Sequence, residues 1–155
     1  MNFKNIVYAF ASLSFAVVIG AAIYEHIAVV PRWSAAPPLS LSMFQGKYGL
    51  NPTPFWMAIH PVTLLLLGAA IILFWKTGGR PYLLVTSVGY VVILLITFAF
   101  FVPELIAITG SAMSGEANVS LTKRAGLWET LSLVRLSVLV VLSIILFLGL
   151  SRVQA

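Results

Sequence analysis

Four long apolar runs, separated by short polar or proline-rich stretches, dominate the chain. A helix that crosses a bilayer needs about 20 mainly apolar residues. The runs at about 6–30, 54–75, 82–109 and 122–150 all reach that length. In hydrocarbon the backbone finds no water to bond, so runs this apolar are expected as helices. The pattern predicts an all-α, integral membrane four-helix bundle that forms a single transmembrane domain over residues 1–155. The first run stops at Pro31, and the second is followed by Lys76, Gly78-Gly79 and Arg80-Pro81. The third ends at Gly110 and the fourth near Arg152. Lys4 precedes the first run as in a signal peptide, but no small-residue cleavage site comes before Tyr24-Glu25-His26. That run is therefore read as a retained helix.

The connections differ in character. Residues 76–81 form a tight basic turn, and residues 110–121 are small and polar. The loop 31–53 is long, carries Pro31, Pro37, Pro38 and Pro52, and is rich in large side chains, with Trp33, Met43, Phe44 and Tyr48. It is predicted to lie on the bilayer interface or to fold over the bundle mouth as a lid. Alternating helix directions put both longer loops on one face, opposite the termini.

Composition supports lipid as the main solvent. Hydrophobic residues make up 61% of the chain and charged residues 8%, against roughly a quarter charged in a soluble domain. The net charge of +5 comes from basic residues near the ends of the apolar runs, which suits anionic headgroups. No basic stripe with interleaved aromatics points to nucleic acid. With no cysteine, thiol catalysis, disulfides and Cys-ligated metals are excluded. Lys4, Lys76, Arg80 and Arg152 on the terminal side balance Arg32, Lys47, Lys123 and Arg124 on the other. The short basic turn then favours cytoplasmic termini in a bacterial inner membrane.

The candidate chemistry lies in residues that are costly to place in lipid. Glu25 and His26 fall near the end of the first run, His60 near the start of the second, Glu104 near the end of the third and Glu129 near the start of the fourth. Because the helices alternate, all five are expected near one level, roughly 8–10 Å inside the helix ends at about 1.5 Å per residue. Ionisable groups inside spans usually face the bundle interior and mark sites. Imidazole with carboxylate is a ligand set for iron, copper, zinc or manganese, and bundles build metal sites from inward-facing helices. The Glu-x-x-His spacing of ferritin-like sites is missing. The competing reading is an ion-pair network that fixes helix packing.

Other residues support such a site. Pro61 follows His60 and Pro103 precedes Glu104, so each should bend its span and free the carbonyls of Met57 and Ala99. Tyr90, Thr97 and Glu104 recur every seven residues, and Trp56, His60 and Thr63 share a face of the second run. Such stripes either line a cavity or bond between helices. Trp56 and Trp128 also fit an interfacial aromatic belt. Arg135 is the deepest cation. It is expected to pair with Glu129 or Glu25, or to receive an anionic ligand.

Two stretches carry a resemblance. One is Phe44-Gln45-Gly46-Lys47-Tyr48-Gly49-Leu50-Asn51-Pro52, and the other is Trp128-x-x-Leu131-x-x-Val134-Arg135. With four spans, they resemble the anthrone oxygenase-like family of small membrane proteins. Members named for an activity oxidise polycyclic anthrones to quinones. The resemblance implies an oxidoreductase that takes a hydrophobic substrate from the bilayer. Many relatives carry a histidine where this chain has Ser132, and they do not obviously share Tyr24-Glu25-His26 or His60-Pro61. The chain thus reads as a divergent member.

Four functions stand as expectations. In a metal-dependent oxidoreductase, Glu25, His26, His60, Glu104 and Glu129 would be ligands, with Arg135 and Trp128 touching the ligands or substrate. In a haem-binding electron carrier, His26 and His60 would be axial ligands. A transporter or proton pathway would use the same carboxylates, but polar residues thin out towards the termini, so a homo-oligomer would be needed. A structural subunit would use the buried network alone.

Overall fold

The structure is a computed structural model that describes residues 3–152. Four helical spans, Phe3–Ser34, Thr53–Leu73, Arg80–Thr109 and Val119–Leu150, are long and apolar enough to cross a membrane. No strand occurs among the described residues. The first span packs against the second and fourth, and the third against the second and fourth. Neighbours in sequence are thus neighbours in space, as an up-down bundle with short links requires. The observed spans agree with the apolar runs to within a few residues, except that the first helix continues past Pro31.

The reason lies in a change of helical pitch. Regular helix α1, Phe3–Tyr24, passes into a π turn at Glu25–Val29 and then into α2, Val30–Ser34. Pro31 has no N–H and cannot bond the carbonyl of the preceding turn. Just before it, the Val30 N–H reaches back five residues to the Glu25 carbonyl. The third span repeats the device: α4, Arg80–Ile96, leads through a π turn at Thr97–Phe101 into α5, Val102–Thr109. There the Val102 N–H donates to the Thr97 carbonyl, one residue before Pro103. Pro61 behaves differently and lies within an unbroken α3, Thr53–Leu73. π turns are rare and concentrate at functional sites. Here both fall at the depth of the polar residues.

The interior divides into two apolar clusters. The terminal half is filled by Tyr8, Phe15, Leu67, Phe74, Leu83, Leu142 and Leu146, among others. Between helices in lipid, association rests on close packing and hydrogen bonds rather than on hydrophobic burial. Gly89 illustrates this, because a Cβ there would lie 2.8 Å from the Leu142 side chain of α6, Val119–Leu150. The Tyr8 hydroxyl donates to the Leu146 carbonyl at 2.6 Å, and Ser14 and Thr63 share a 2.5 Å bond. Interhelical bonds of this kind average ~0.6 kcal/mol and reach ~1.7.

The second cluster, Val30, Trp33, Leu41, Phe101, Ile108, Ala125 and Trp128, closes the loop end. The connection after the first span folds over that end. A 3₁₀ segment, Leu39–Phe44, buries Leu41 almost completely. Ser40 donates to the Trp33 carbonyl at 2.6 Å, and the Asn118 N–H donates to the Pro37 carbonyl at 2.9 Å. Asn118 also caps α6 by accepting from Ser120 and Leu121. The apolar loop is thus tied to the start of the fourth span. Gly46, with φ +74°, supplies the left-handed turn that leads on from it.

Candidate functional site

A layer of polar side chains lies between the two apolar clusters. One hydrogen-bonded string crosses the first, second and third spans. The Trp56 indole donates to Glu25 Oε1 at 2.9 Å. The same indole stacks on the His60 ring, with centroids 5.2 Å apart and planes 21° apart. His60 Nδ1 meets Tyr90 Oη at 2.6 Å. A phenol and an imidazole at this distance share one proton-bearing bond whose donor depends on the histidine tautomer.

A second string crosses the first, fourth and third spans. His26 Nε2 lies 3.0 Å from Ser132 Oγ. Arg135 donates to that same oxygen at 2.9 Å and to Thr97 Oγ1 at 3.1 Å. Ser132 is fully buried. With its oxygen accepting from the guanidinium, its own proton is available to His26. The π turn carries Thr97 and also sets Phe101 under Arg135, whose guanidinium carbon lies 4.3 Å from the ring centroid. That is cation–π range. Glu25, His26 and His60 all lie within charge–charge range of Arg135.

The predicted five-residue convergence is corrected. Glu104 turns away from the layer and takes a two-pronged bond from Arg124 at 2.7 and 2.9 Å. Glu129 accepts from Ser34 at 2.7 Å and lies within charge–charge range of His26. Only Glu25, His26 and His60 of the proposed ligands gather near Arg135. Among the described residues, no three His, Asp or Glu side chains come together as metal donors. The donor set of the described residues therefore does not fit a metal held by three or more protein ligands. His26 Nε2 and His60 Nδ1 are also occupied by hydroxyl partners. An axial haem bond would have to use His60 Nε2 or the buried His26 Nδ1, which has no partner.

The expected ion pair of Arg135 with Glu129 or Glu25 does not form. Among the described residues the salt bridge within 4.0 Å is Arg124–Glu104. Glu25 is engaged by Trp56 and Glu129 by Ser34, so the direct partners of the Arg135 guanidinium are two neutral hydroxyls and a ring face, with Glu25 acting on it only at longer range. For Trp128 the aromatic-belt reading is corrected. Trp128 is buried and donates to the Phe101 carbonyl at 2.9 Å, within the π turn. Its ring packs on Trp33 and Phe101. Trp56 is half-buried with its N–H on Glu25. The stripes of Tyr90–Thr97 and Trp56–His60–Thr63 bond between helices.

Sequence reasoning did not assign Ser132 or Ser34 to the site, and it placed Thr97 only on the stripe with Tyr90 and Glu104, not on Arg135. A signal existed for Ser132: it stands three positions before Arg135 and four after Trp128, so it shares their face of the helix.

Beside Arg135 a groove of about 380 Å³ runs between the third and fourth spans, lined by Val92, Ile96, Phe100, Phe101, Val134 and Val138 among others. Arg135 is its one charged lining residue. Fold and site together define a four-helix integral membrane protein with a guanidinium-centred polar layer closed by apolar clusters on both sides. No family model matches the chain, and no curated protein or solved structure matches it.

Proposed function

We propose that this protein is a membrane-embedded oxidoreductase that acts on a hydrophobic molecule through proton chemistry in the polar layer. The observation that carries this reading is the pairing of each imidazole with a hydroxyl, His60 with Tyr90 and His26 with Ser132, beside an Arg135 that makes no salt bridge within 4.0 Å among the described residues. An imidazole shielded from water accepts a proton from an activated C–H or O–H group. A fixed guanidinium stabilises the oxyanion left behind. The phenol of Tyr90 and the hydroxyl of Ser132 hold the rings in place and extend the path along which the proton moves.

An anthrone serves as the model substrate for this chemistry, chosen from the resemblance stated above, which does not itself carry the substrate over to this chain. An anthrone loses a ring-methylene proton next to its conjugated carbonyl system, and its anion reacts with dioxygen. In net terms, methylene plus O₂ gives carbonyl plus water. In this reading His60 is the base, Arg135 receives the oxyanion and Trp128 shapes the wall through Phe101. Incubation of the protein in lipid nanodiscs with an anthrone under air tests the reading, with the quinone measured by mass spectrometry. Quinone formation well above protein-free nanodiscs supports it. Equal rates with and without protein across several anthrones and hydroquinones sink it.

A further inference from the structure

The two ends of the bundle differ in charge once acids are counted with bases. All four acidic residues, Glu25, Glu104, Glu116 and Glu129, lie in the loop-side half. There they match Arg32, Lys47, Lys123 and Arg124 in number, and Glu104 holds Arg124 in the two-pronged ion pair. The terminal end carries Lys4, Lys76, Arg80 and Arg152 and no Asp or Glu. Apart from the charge of Arg135 at mid-depth, the net charge of +5 therefore belongs to that end.

The fold draws three of these cations to one turn. Phe74, which is buried, anchors the link between the second and third spans. The Thr77 hydroxyl and N–H both donate to the Phe74 carbonyl, and the Arg80 N–H donates to the Thr77 carbonyl. The end of the fourth span lies against this turn: a Cβ on Gly78 would stand 3.1 Å from the Arg152 carbonyl oxygen and 3.7 Å from the Arg152 Cβ. Lys76, Arg80 and Arg152 thus border the same turn, and Lys76 and Arg152 are exposed. The Arg80 guanidinium carbon lies 3.7 Å from the centroid of the exposed Trp75 ring, a cation–π contact. Stacking uses the face of a guanidinium and leaves its N–H edge for an acceptor. Among the described residues none of the three cations forms a salt bridge.

Depth decides the partner. The second span ends at Leu73 and the third begins at Arg80, so the turn stands at the edge of the hydrocarbon, the level at which tryptophan and basic residues anchor a span. The acceptor most abundant at that level is the lipid phosphate, and arginine takes it with two parallel bonds. A zwitterionic headgroup brings its own ammonium group and gains little from a cationic turn, whereas an anionic one gains about fivefold in partition for each nearby basic residue. We propose that the turn around Gly78 is a headgroup site for anionic phospholipid, in which Lys76, Arg80 and Arg152 bind the phosphate and Trp75 is the platform that holds Arg80. The proposal is independent of the chemistry of the polar layer.

The test is native mass spectrometry of the full chain released from nanodiscs that contain phosphatidylglycerol and phosphatidylcholine in equal amounts. The wild type should retain phosphatidylglycerol over phosphatidylcholine by at least ~10-fold. The triple variant Lys76→Gln, Arg80→Gln, Arg152→Gln should lose that preference, and Lys76→Gln or Arg152→Gln alone should reduce it several-fold, with helix content by circular dichroism unchanged. Trp75→Leu should lose part of it. The loop-side pair Arg32→Gln, Lys123→Gln should keep it. Soluble glycerol phosphate, which carries the phosphate without acyl chains, should leave the retained lipid in place. Equal retention of the two lipids by wild type, or a preference that survives in the folded triple variant, overturns the proposal. So does a loss in the loop-side pair as large as in the triple variant, which would make the effect one of overall charge. Displacement by glycerol phosphate would make the turn a site for soluble phosphates and overturn it as well.

Discussion

Ser132 joins His26 to Arg135: its hydroxyl oxygen lies 3.0 Å from the imidazole Nε2 and accepts from the guanidinium at 2.9 Å. The serine is completely buried, so neither partner has water as a substitute on that side. A change at this one atom is felt at both the base and the cation.

Ser132→Ala should therefore lower turnover while leaving the helices intact. Loss of one partner from a buried polar group costs ~1–3 kcal/mol, or roughly 5- to 150-fold if it falls on the transition state. Helix content by circular dichroism should match wild type, and kcat should fall more than substrate affinity. An unchanged kcat would make Ser132 a packing residue.

Tyr90→Phe removes the 2.6 Å partner of His60 Nδ1 but keeps the ring that packs edge-on against Phe15. Apolar packing should survive. Stability in mixed-detergent unfolding should drop by ~1–3 kcal/mol, and turnover should fall with it. A variant as stable and active as wild type would show that the phenol neither positions nor serves the imidazole.

Pro103→Ala restores an N–H where the third span has none. With it, the π turn at Thr97–Phe101 loses its cause. The turn should relax towards a regular helix, displacing Thr97 and Phe101 from Arg135 and weakening ligand binding several-fold. Hydrogen exchange at Val102 and Glu104, together with binding, checks this. Unaltered exchange and binding would mean that packing alone holds the π turn.

Elemental analysis of the purified chain should give well under one transition metal per molecule. The carboxylates and imidazoles are distributed over Trp56, Ser34, Arg124, Ser132 and Tyr90. One tightly held metal per chain, lost on His60→Gln, would contradict that arrangement.

The four spans and their alternation were legible because hydropathy over some twenty residues reports helix existence directly. The depth of the polar residues was legible for the same reason, since depth depends on position along a helix. Azimuth was not. Tyr90, Thr97 and Glu104 share a face only if the helix keeps its regular pitch. The π turn at Thr97–Phe101 accommodates an extra residue and rotates the downstream helix by about 100°. Glu104 is thereby carried to Arg124, while Tyr90 and Thr97 stay inside. Pro103 was the visible cue, but a proline signals either a kink or a π turn, and Pro61 produces no π turn. Arg135 presented a different difficulty. The apparent need for a carboxylate partner was met by two hydroxyls and the Phe101 ring.

On the proposed function, chemistry occurs in the polar layer around Arg135. Quinone formation rates in nanodiscs for wild type, His60→Gln, Arg135→Lys and Glu104→Gln test this together. The layer predicts that His60→Gln falls to the protein-free background, that Arg135→Lys is strongly impaired, and that Glu104→Gln matches wild type. Equal rates for all four, or a loss in Glu104→Gln as large as in His60→Gln, would contradict it.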